Sequence, residues 1–182
     1  MKKHQNLFRD LQEDFRKMKK NLLVAQSGGP TAAINATLAG VIKQAIKEEQ
    51  IDQVYGACYG IQGVLEQKFV NLTEKVDTEE KLEKLKRTPA AALGSCRFKL
   101  NDIKEDDSQY QEIVDILHKM NIGYFVYIGG NDSMDTVAKL SAYCKEKGVE
   151  DIKVIGGPKT IDNDLCGIDH CQIGRASCRE RV

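Results

Sequence analysis

The chain has 182 residues, which suits one domain or a large part of one, and its 27 basic residues balance 27 acidic residues. This neutral balance argues against a general nucleic-acid or membrane-surface binder. No apolar run approaches the ~20 residues that span a bilayer, no secretory signal opens the chain, and the six cysteines form no C-x-x-C pair. We therefore expect a cytoplasmic protein with reduced thiols that binds neither nucleic acid nor membrane.

Residues 1–17 are strongly charged and lack the apolar pattern of a core segment. Met18 follows them and stands directly ahead of the first predicted strand, as a natural initiator would. The codons for Gln12 and Glu13 can also contain the purine-rich run of a ribosome-binding site. We hypothesise that residues 1–17 are a non-native extension, with Met1 as the alternative start. Peptides from this stretch in the native protein would rule the hypothesis out.

The first unit of the chain combines a strand, a glycine turn and a helix. Residues 22–25 predict a strand, Gly28 and Gly29 follow, and residues 32–46 have the apolar spacing of an amphipathic helix. Such a turn suits an anion, because glycine lets the backbone approach a phosphate and the helix N-terminus presents unpaired N–H groups. The motif is neither a Walker A loop nor G-x-G-x-x-G. Glycines are also common in tight turns simply because they permit the backbone angles of the turn. This unit by itself is therefore weak evidence of a binding site.

The middle of the chain predicts a strand over residues 53–59, a turn bracketed by Gly60 and Gly63, a short extension over 64–70 and a charged helix over 78–87. A run of small residues then ends at Arg97. A lone arginine is usually a solvated surface residue. Presented on a loop after glycine and serine, however, the Arg97 guanidinium could grip a phosphate with two parallel hydrogen bonds.

A second strand–glycine–helix unit follows a predicted helix over residues 107–120. Residues 124–128 are the clearest strand of the chain, and they lead into Gly129-Gly130-Asn131-Asp132 before a helix predicted over 137–147. The Asp132 carboxylate could simply cap that helix.

The third unit has the densest chemistry. Residues 152–155 contain three apolar, β-branched side chains, which predicts a buried strand, and Gly156 and Gly157 are expected to end it. The loop that follows contains Lys159, Thr160, Asp162 and Asp164. A cation, a hydroxyl and two carboxylates are costly to hold together unless a ligand or metal uses them. The alternative is a polar loop that caps the next helix.

Strands alternate with helices along the chain, which predicts an α/β fold with a doubly wound, mainly parallel sheet and helices on both faces. Ligands of such sheets bind beyond the carboxyl ends of the strands, so we expect the three Gly-Gly loops to face one cleft. The cleft would gather Arg97, Lys159, Asp132, Asp162 and Asp164. Cations and N–H groups suit phosphate oxygens, and carboxylates suit Mg²⁺ or proton abstraction. Together they favour phosphoryl transfer to a substrate hydroxyl, with one aspartate as the base.

Three motifs strongly resemble the 6-phosphofructokinase family: Ser27-Gly28-Gly29-Pro30-Thr31, Gly129-Gly130-Asn131-Asp132-Ser133 and Pro158-Lys159-Thr160-Ile161-Asp162-Asn163-Asp164. They occur in the family's order within residues 18–171, which we expect to be its N-terminal donor-binding and catalytic region. The resemblance implies that Asp162 is the general base for the C1 hydroxyl of fructose 6-phosphate. It also implies that Thr160 and Asp164 bind this substrate, and that Gly28 and Arg97 bind the phosphoryl donor.

The donor implied by the resemblance is pyrophosphate. ATP-using members have an Mg²⁺-binding aspartate followed by glycine where this chain has Asn131 and Asp132, and they have glycine in place of Lys159. The Asp132 carboxylate would occupy the place of the ATP α-phosphate and repel it, while Lys159 would neutralise the transferring phosphoryl group. Asp162, Asp132 and Lys159 are thus the expected catalytic residues. Asn131 and Asp132 are the expected Mg²⁺ ligands, although a neutral amide is a poorer ligand than a carboxylate.

Members of this family are considerably longer, and their second half supplies residues that grip fructose 6-phosphate. We expect the 182-residue chain alone to have negligible turnover, and the full-length protein to be a homo-oligomer, either a dimer or a tetramer. Residues 172–182 match the translation of a common sequencing adapter, so we expect an adapter-derived tail.

Other functions stay open at this point. One alternative is an ATP-dependent 6-phosphofructokinase, and another is a non-catalytic anion-binding domain, which would need no base. Related kinases with a Gly-Gly-Asp-Gly loop that act on NAD or lipids fit less well, because of the motif from Pro158 to Asp164.

Overall fold

A computed structural model of the protein describes residues 19–31, 33–160 and 166–167. The strands within this part are β1 (Lys20–Gln26), β2 (Ile51–Ala57), β3 (Phe69–Asn71), β4 (Ile122–Gly129) and β5 (Lys153–Pro158). The helices are α1 (Ile34–Ala45), α2 (Gly60–Leu65), α3 (Leu72–Lys75), α4 (Glu79–Arg87), α5 (Ser108–Lys119) and α6 (Asn131–Glu146).

The strands form a sheet in the order β3-β2-β1-β4-β5. All its pairings are parallel except that of β2 with the short edge strand β3. The apolar run of β1 is continuous because helices cover both faces of the sheet. Leu23 and Ala25 lie in one core, with buried residues of α2, α5 and α6. Leu22 and Val24 lie in the other, with residues of α1, α3 and α4. The predicted doubly wound, mainly parallel α/β fold is confirmed.

Residues 60–65 form a helix where the sequence predicted only a turn. The chain enters α2 through Tyr59, whose φ of 66° lies in the left-handed region. Gly63 packs so closely that an added Cβ would lie 1.6 Å from the Cys58 carbonyl oxygen. This glycine therefore permits a close backbone approach that local turn chemistry does not reveal. The strand that follows, β3, is also shorter than the predicted extension over 64–70.

Helix α6 begins at Asn131, well before the predicted start at residue 137. Its first turn is polar, and Asp132 lies there, where the helix dipole favours a carboxylate. The apolar periodicity used for the prediction starts only later in the helix. The polar residues of the second unit are therefore part of a helix N-terminus and not of a free loop.

Strand β5 runs on through Gly156 and Gly157 to Pro158, and these three residues pair with β4. It is the edge strand of the described sheet, and the Ile155 side chain is 49% exposed. The prediction of a buried strand ended by two glycines is therefore wrong for this part of the chain. Proline is tolerated because an edge strand does not need every N–H for the ladder.

The strand order reverses between β1 and β4, since the chain continues to β2 on one side and to β5 on the other. Doubly wound sheets bind ligands at such a switch point, outside the carboxyl ends of the strands. In the part of the chain that the structure describes, no helix combines the length and apolarity needed to cross a bilayer. The proposed start at Met18 and the segments 1–17 and 172–182 lie outside the described residues.

Candidate active site

A cleft of ≈ 560 Å³ lies at the carboxyl ends of β1, β4 and β5. The described residues of all three Gly-Gly units line it, together with residues 96–99 from the segment that precedes α5. The predicted convergence of the three loops is confirmed. The predicted site residues that line the cleft are Gly28, Arg97, Asn131, Asp132, Lys159 and Thr160. Asp162 and Asp164 lie outside the described residues, so their predicted roles stay predictions.

The first loop turns sharply at Gly28, whose φ of +77° favours glycine. A Cβ at this position would lie 3.6 Å from the Gly130 nitrogen and 3.7 Å from Lys159 Nζ. The three loops therefore approach one another to within van der Waals contact. The Gly28 N–H faces the Cys96 carbonyl at 3.5 Å, and Ser27 Oγ donates to the same oxygen at 3.2 Å. These contacts fasten the first loop to the segment that carries Arg97.

The second loop places the start of α6 at the cleft. Position 129 has no room for a side chain, because a Cβ added to Gly129 would lie 2.1 Å from Ser133 Oγ. Asn131 Oδ1 accepts the N–H of Asp132 at 2.7 Å. The Asp132 side chain is 70% exposed and points its carboxylate at Lys99 Nζ, 3.1 Å away. The helix N-terminus adds a positive dipole end to this wall, which favours a bound anion.

Lys159 joins the third loop to the other two. Its N–H donates to the Gly129 carbonyl at 2.8 Å, and its ammonium donates to the Gly29 carbonyl at 2.5 Å. Thr160, the next residue, is buried at 9% exposure and also lines the cleft. One side chain thus brings a positive charge between the two glycine loops, where phosphate oxygens would be expected to bind.

A sequence model of the family described as phosphofructokinase matches residues 21–182. The chain belongs to the phosphofructokinase family. A pyrophosphate--fructose 6-phosphate 1-phosphotransferase from Xanthomonas campestris is 42% identical over 151 residues, which are 83% of this chain and 35% of the relative. The chain therefore spans about a third of the length of this curated relative.

Two further relatives use different phosphoryl donors, according to their names. The crystal structure of a pyrophosphate-dependent phosphofructokinase from Nitrosospira multiformis matches with a TM-score of 0.73 at 38% identity, covering 81% of this chain and 35% of that one. An ATP-dependent 6-phosphofructokinase 3 from Bacteroides thetaiotaomicron is 32% identical over 149 residues, 80% of this chain and 40% of the relative. The chain is thus more similar to these two pyrophosphate-dependent proteins than to the ATP-dependent one.

The sequence prediction for this phosphofructokinase chain missed Lys99. It extends from the same irregular segment as Arg97, and its ammonium lines the cleft opposite α6. Residues 96–99 all line the cleft, so the closeness of Lys99 to Arg97 in the sequence is the signal that could have found it. Arg97 itself is exposed and forms no ion pair within the described residues.

Two hydroxyl groups of the cleft were also missed. Thr31 Oγ1 is buried and has no hydrogen-bond partner among the described residues. Tyr127 lies 1% exposed beneath the loops, and its hydroxyl accepts the N–H of Ile61 at 3.3 Å. Burial raises the pKa of the Tyr127 phenol well above its usual value, although a hydrogen bond from Ser27 opposes the shift. The phenol is therefore neutral at physiological pH.

The predicted Mg²⁺ ligands Asn131 and Asp132 lie at the cleft, but they do not form a protein-built cage. The described residues contain no cluster of three or more histidines, cysteines or carboxylates. Mg²⁺ usually keeps several waters and is held by one or two carboxylates together with substrate phosphates. One exposed carboxylate, Asp132, at a helix N-terminus that favours anions fits this second mode. The residues present therefore suit a cation that is shared with phosphate groups.

Proposed function

We propose that the full-length protein transfers a phosphoryl group from pyrophosphate to the C1 hydroxyl of fructose 6-phosphate. The products are fructose 1,6-bisphosphate and phosphate, which makes the protein a glycolytic transferase. The observation that carries this proposal is the presence of Lys159 and Asp132 in one cleft, with the Lys159 ammonium held between the two glycine loops. The 42% identity to a pyrophosphate--fructose 6-phosphate 1-phosphotransferase supports it.

Pyrophosphate suits the charges of the cleft. Lys159, Arg97 and Lys99 present cations to it, and the start of α6 adds a helix dipole. A longer polyphosphate would have to place its third phosphate near the Asp132 carboxylate, whose negative charge opposes it. The cleft therefore selects the donor by repulsion as well as by attraction.

In the proposed reaction, the C1 oxygen of the sugar forms a bond to one phosphorus of pyrophosphate while the bond from that phosphorus to the bridging oxygen breaks. Asp162 accepts the hydroxyl proton, and orthophosphate leaves. Lys159 neutralises charge on the transferring group, which is the main task in phosphoryl transfer. Thr160 and Asp164 contact the sugar substrate. Mg²⁺, held by Asn131 and Asp132, would supply further charge neutralisation when bound.

The same proposal places the full-length protein in the cytoplasm as a dimer or tetramer, without nucleic-acid or membrane partners. The balance of 27 basic and 27 acidic residues argues against a general binder of nucleic acid or membrane surfaces. Size-exclusion chromatography with light scattering would test the assembly, and a monomer at micromolar concentration would contradict it.

The deciding experiment is a coupled assay on a full-length form, with pyrophosphate or ATP as the donor. We expect fructose 1,6-bisphosphate to form with pyrophosphate and not with ATP. Product from ATP alone would establish the ATP-dependent alternative. No product from either donor, with pyrophosphate still bound, would favour the anion-binding domain.

A further inference from the structure

Two buried amide side chains lie beneath the cleft, between the end of β1 and the start of α1. Gln26 and Asn35 are both 0% exposed. Gln26 Nε2 donates to Asn35 Oδ1 at 3.0 Å and to the Ile34 carbonyl at 3.2 Å. The two side chains therefore act as one polar unit, which we call the amide clamp.

The amide clamp holds three backbone groups of residues 88–93. Asn35 Nδ2 donates to the Thr88 carbonyl at 2.8 Å, and Asn35 Oδ1 accepts the Ala92 N–H at 2.9 Å. Gln26 Oε1 accepts the Leu93 N–H at 2.9 Å. Residues 88–100 contain neither helix nor strand. These side chains thus satisfy backbone groups that secondary structure would satisfy elsewhere.

The same segment leads directly to Arg97. Ser95 Oγ donates to the Gly28 carbonyl, and the Cys96 carbonyl accepts from Ser27 Oγ at 3.2 Å. The backbone is therefore fixed at both ends of a short stretch, by the amide clamp and by the first glycine loop. The Arg97 side chain extends from this fixed backbone into the cleft.

We propose that Gln26 and Asn35 are positioning residues that set the place of Arg97 for the phosphoryl donor. The identity of the ligand rests on the proposed function. The claim that the two side chains fix residues 88–93 rests on the geometry alone. Removing either side chain leaves buried N–H or carbonyl groups without partners, so the segment should move to satisfy them. A shift on the order of 1 Å in a positioning element can weaken phosphoryl transfer on the order of 10²-fold.

Hydrogen exchange tests the fixing of the segment without any substrate. The variants are Asn35→Ala and Gln26→Met, the second of which keeps an apolar side chain of similar length in the buried site. Asn21→Ala is the matched control, because Asn21 also bridges backbone groups, the Met120 carbonyl at 2.8 Å and the Gln53 N–H at 3.1 Å, at the other end of β1. We expect faster exchange at Ala92 and Leu93 in the two clamp variants only. Unchanged exchange in both would overturn the proposal.

A double-mutant cycle on the full-length enzyme tests whether the amide clamp acts through Arg97. We expect Asn35→Ala to raise the KM for pyrophosphate about 10-fold or more, and Asn21→Ala to leave it unchanged. In an Arg97→Ala background, Asn35→Ala should raise the KM for pyrophosphate by less than about twofold further, because the effects of coupled residues are not additive. Equal losses in both backgrounds would overturn the positioning role. If the unmodified enzyme does not use pyrophosphate, the proposed function fails, and hydrogen exchange alone decides whether the clamp fixes the segment.

Discussion

The Lys99 ammonium lies 3.1 Å from the Asp132 carboxylate. This ion pair connects the irregular segment before α5 with the first turn of α6. Both side chains are at least 70% exposed, so the pair contributes little to stability. The pair holds the Asp132 carboxylate at a cleft whose other charged lining residues, Arg97, Lys99 and Lys159, are cationic. Under the proposed function, this carboxylate rejects a donor longer than pyrophosphate.

Replacing Asp132 by glycine should shift the donor preference toward ATP. The change removes the repulsive carboxylate and frees Lys99 for a third phosphate, so we expect the ratio of ATP to pyrophosphate kcat/KM to rise about 10-fold or more, about 1.4 kcal/mol. Asp135→Gly is the control: Asp135 lies in the same helix and pairs with Lys139 at 2.7 Å, outside the cleft lining. An unchanged ratio in Asp132→Gly would show that Asp132 does not select the donor.

Lys159→Met should weaken pyrophosphate binding strongly, because it removes both a cation and the bridge from the third loop to Gly29. We expect the KM for pyrophosphate to rise on the order of 10²-fold, as for the loss of a charge-assisted contact. Lys153→Met, at the start of the strand that precedes Lys159 and outside the cleft lining, should leave the KM within about twofold. Steady-state kinetics on the full-length form measure both, and similar KM values for the two variants would contradict the assignment.

Thr31→Val should have opposite effects on stability and on binding. The Thr31 hydroxyl has no hydrogen-bond partner among the described residues, so replacing it by a methyl group should stabilise the free protein by up to about 1 kcal/mol. Because Thr31 lines the cleft, we also expect its hydroxyl to donate to pyrophosphate, and the same change should then weaken pyrophosphate binding about 10-fold. Urea unfolding and calorimetric titration measure the two effects.

Thr73→Val is the comparison for stability. Thr73 Oγ1 accepts the Val54 N–H at 2.9 Å, so this variant should lose stability. If Thr31→Val loses as much stability as Thr73→Val, the Thr31 hydroxyl has a structural partner and the expected role in binding is not supported.

Because three tyrosines have raised pKa values, we expect the protein to lose stability in alkali. Burial raises the pKa of the phenols of Tyr110, Tyr127 and Tyr143 above 10. Their unfolded pKa is about 10, so their contribution is complete below about pH 10 and is lost as the pH rises through the higher folded values. Urea unfolding at increasing pH should show a falling free energy of unfolding. Tyr127→Phe should make this fall with pH less steep. A free energy of unfolding that is constant from about pH 9 to 11 would contradict this reasoning.

Asp162→Ala should lower the kcat of the full-length enzyme on the order of 10³-fold, because general-base catalysis contributes roughly 10²–10⁴-fold. The expectation rests on the resemblance of the motif around Asp162. The control is Asp151→Ala, which removes a carboxylate paired with Lys20 and His118 at the other end of β5. Full activity in Asp162→Ala would favour a non-catalytic domain.

Local patterns were sufficient to predict the sheet and the convergence of three loops. Strand β4 and helix α4 were predicted closely, since composition and periodicity are local signals. The cleft followed from a general rule about the carboxyl ends of parallel strands. Lys159 and Asp132 were predicted because each lies beside a recognisable glycine pair.

What sequence reasoning missed depends on contacts between distant residues. Gln26 binds the backbone of Leu93, and Lys99 pairs with Asp132, but no spacing rule connects these positions. The helix at residues 60–65 was missed because Gly63 permits close packing against Cys58, a contact that the local sequence does not reveal. Such features are set by tertiary structure, which overrides local propensity.

The strand order has a consequence for how the chain folds during synthesis. Leu22 in β1 pairs with Val54 in β2 and with Tyr124 in β4. One edge of this apolar strand must therefore wait, unpaired, until the ribosome has made β4, and exposed strand edges promote aggregation. Lys19 and Lys20 stand directly before the apolar run, where charges discourage pairing with other nascent chains. The central strand of the described sheet is thus also a part of the nascent chain that needs protection.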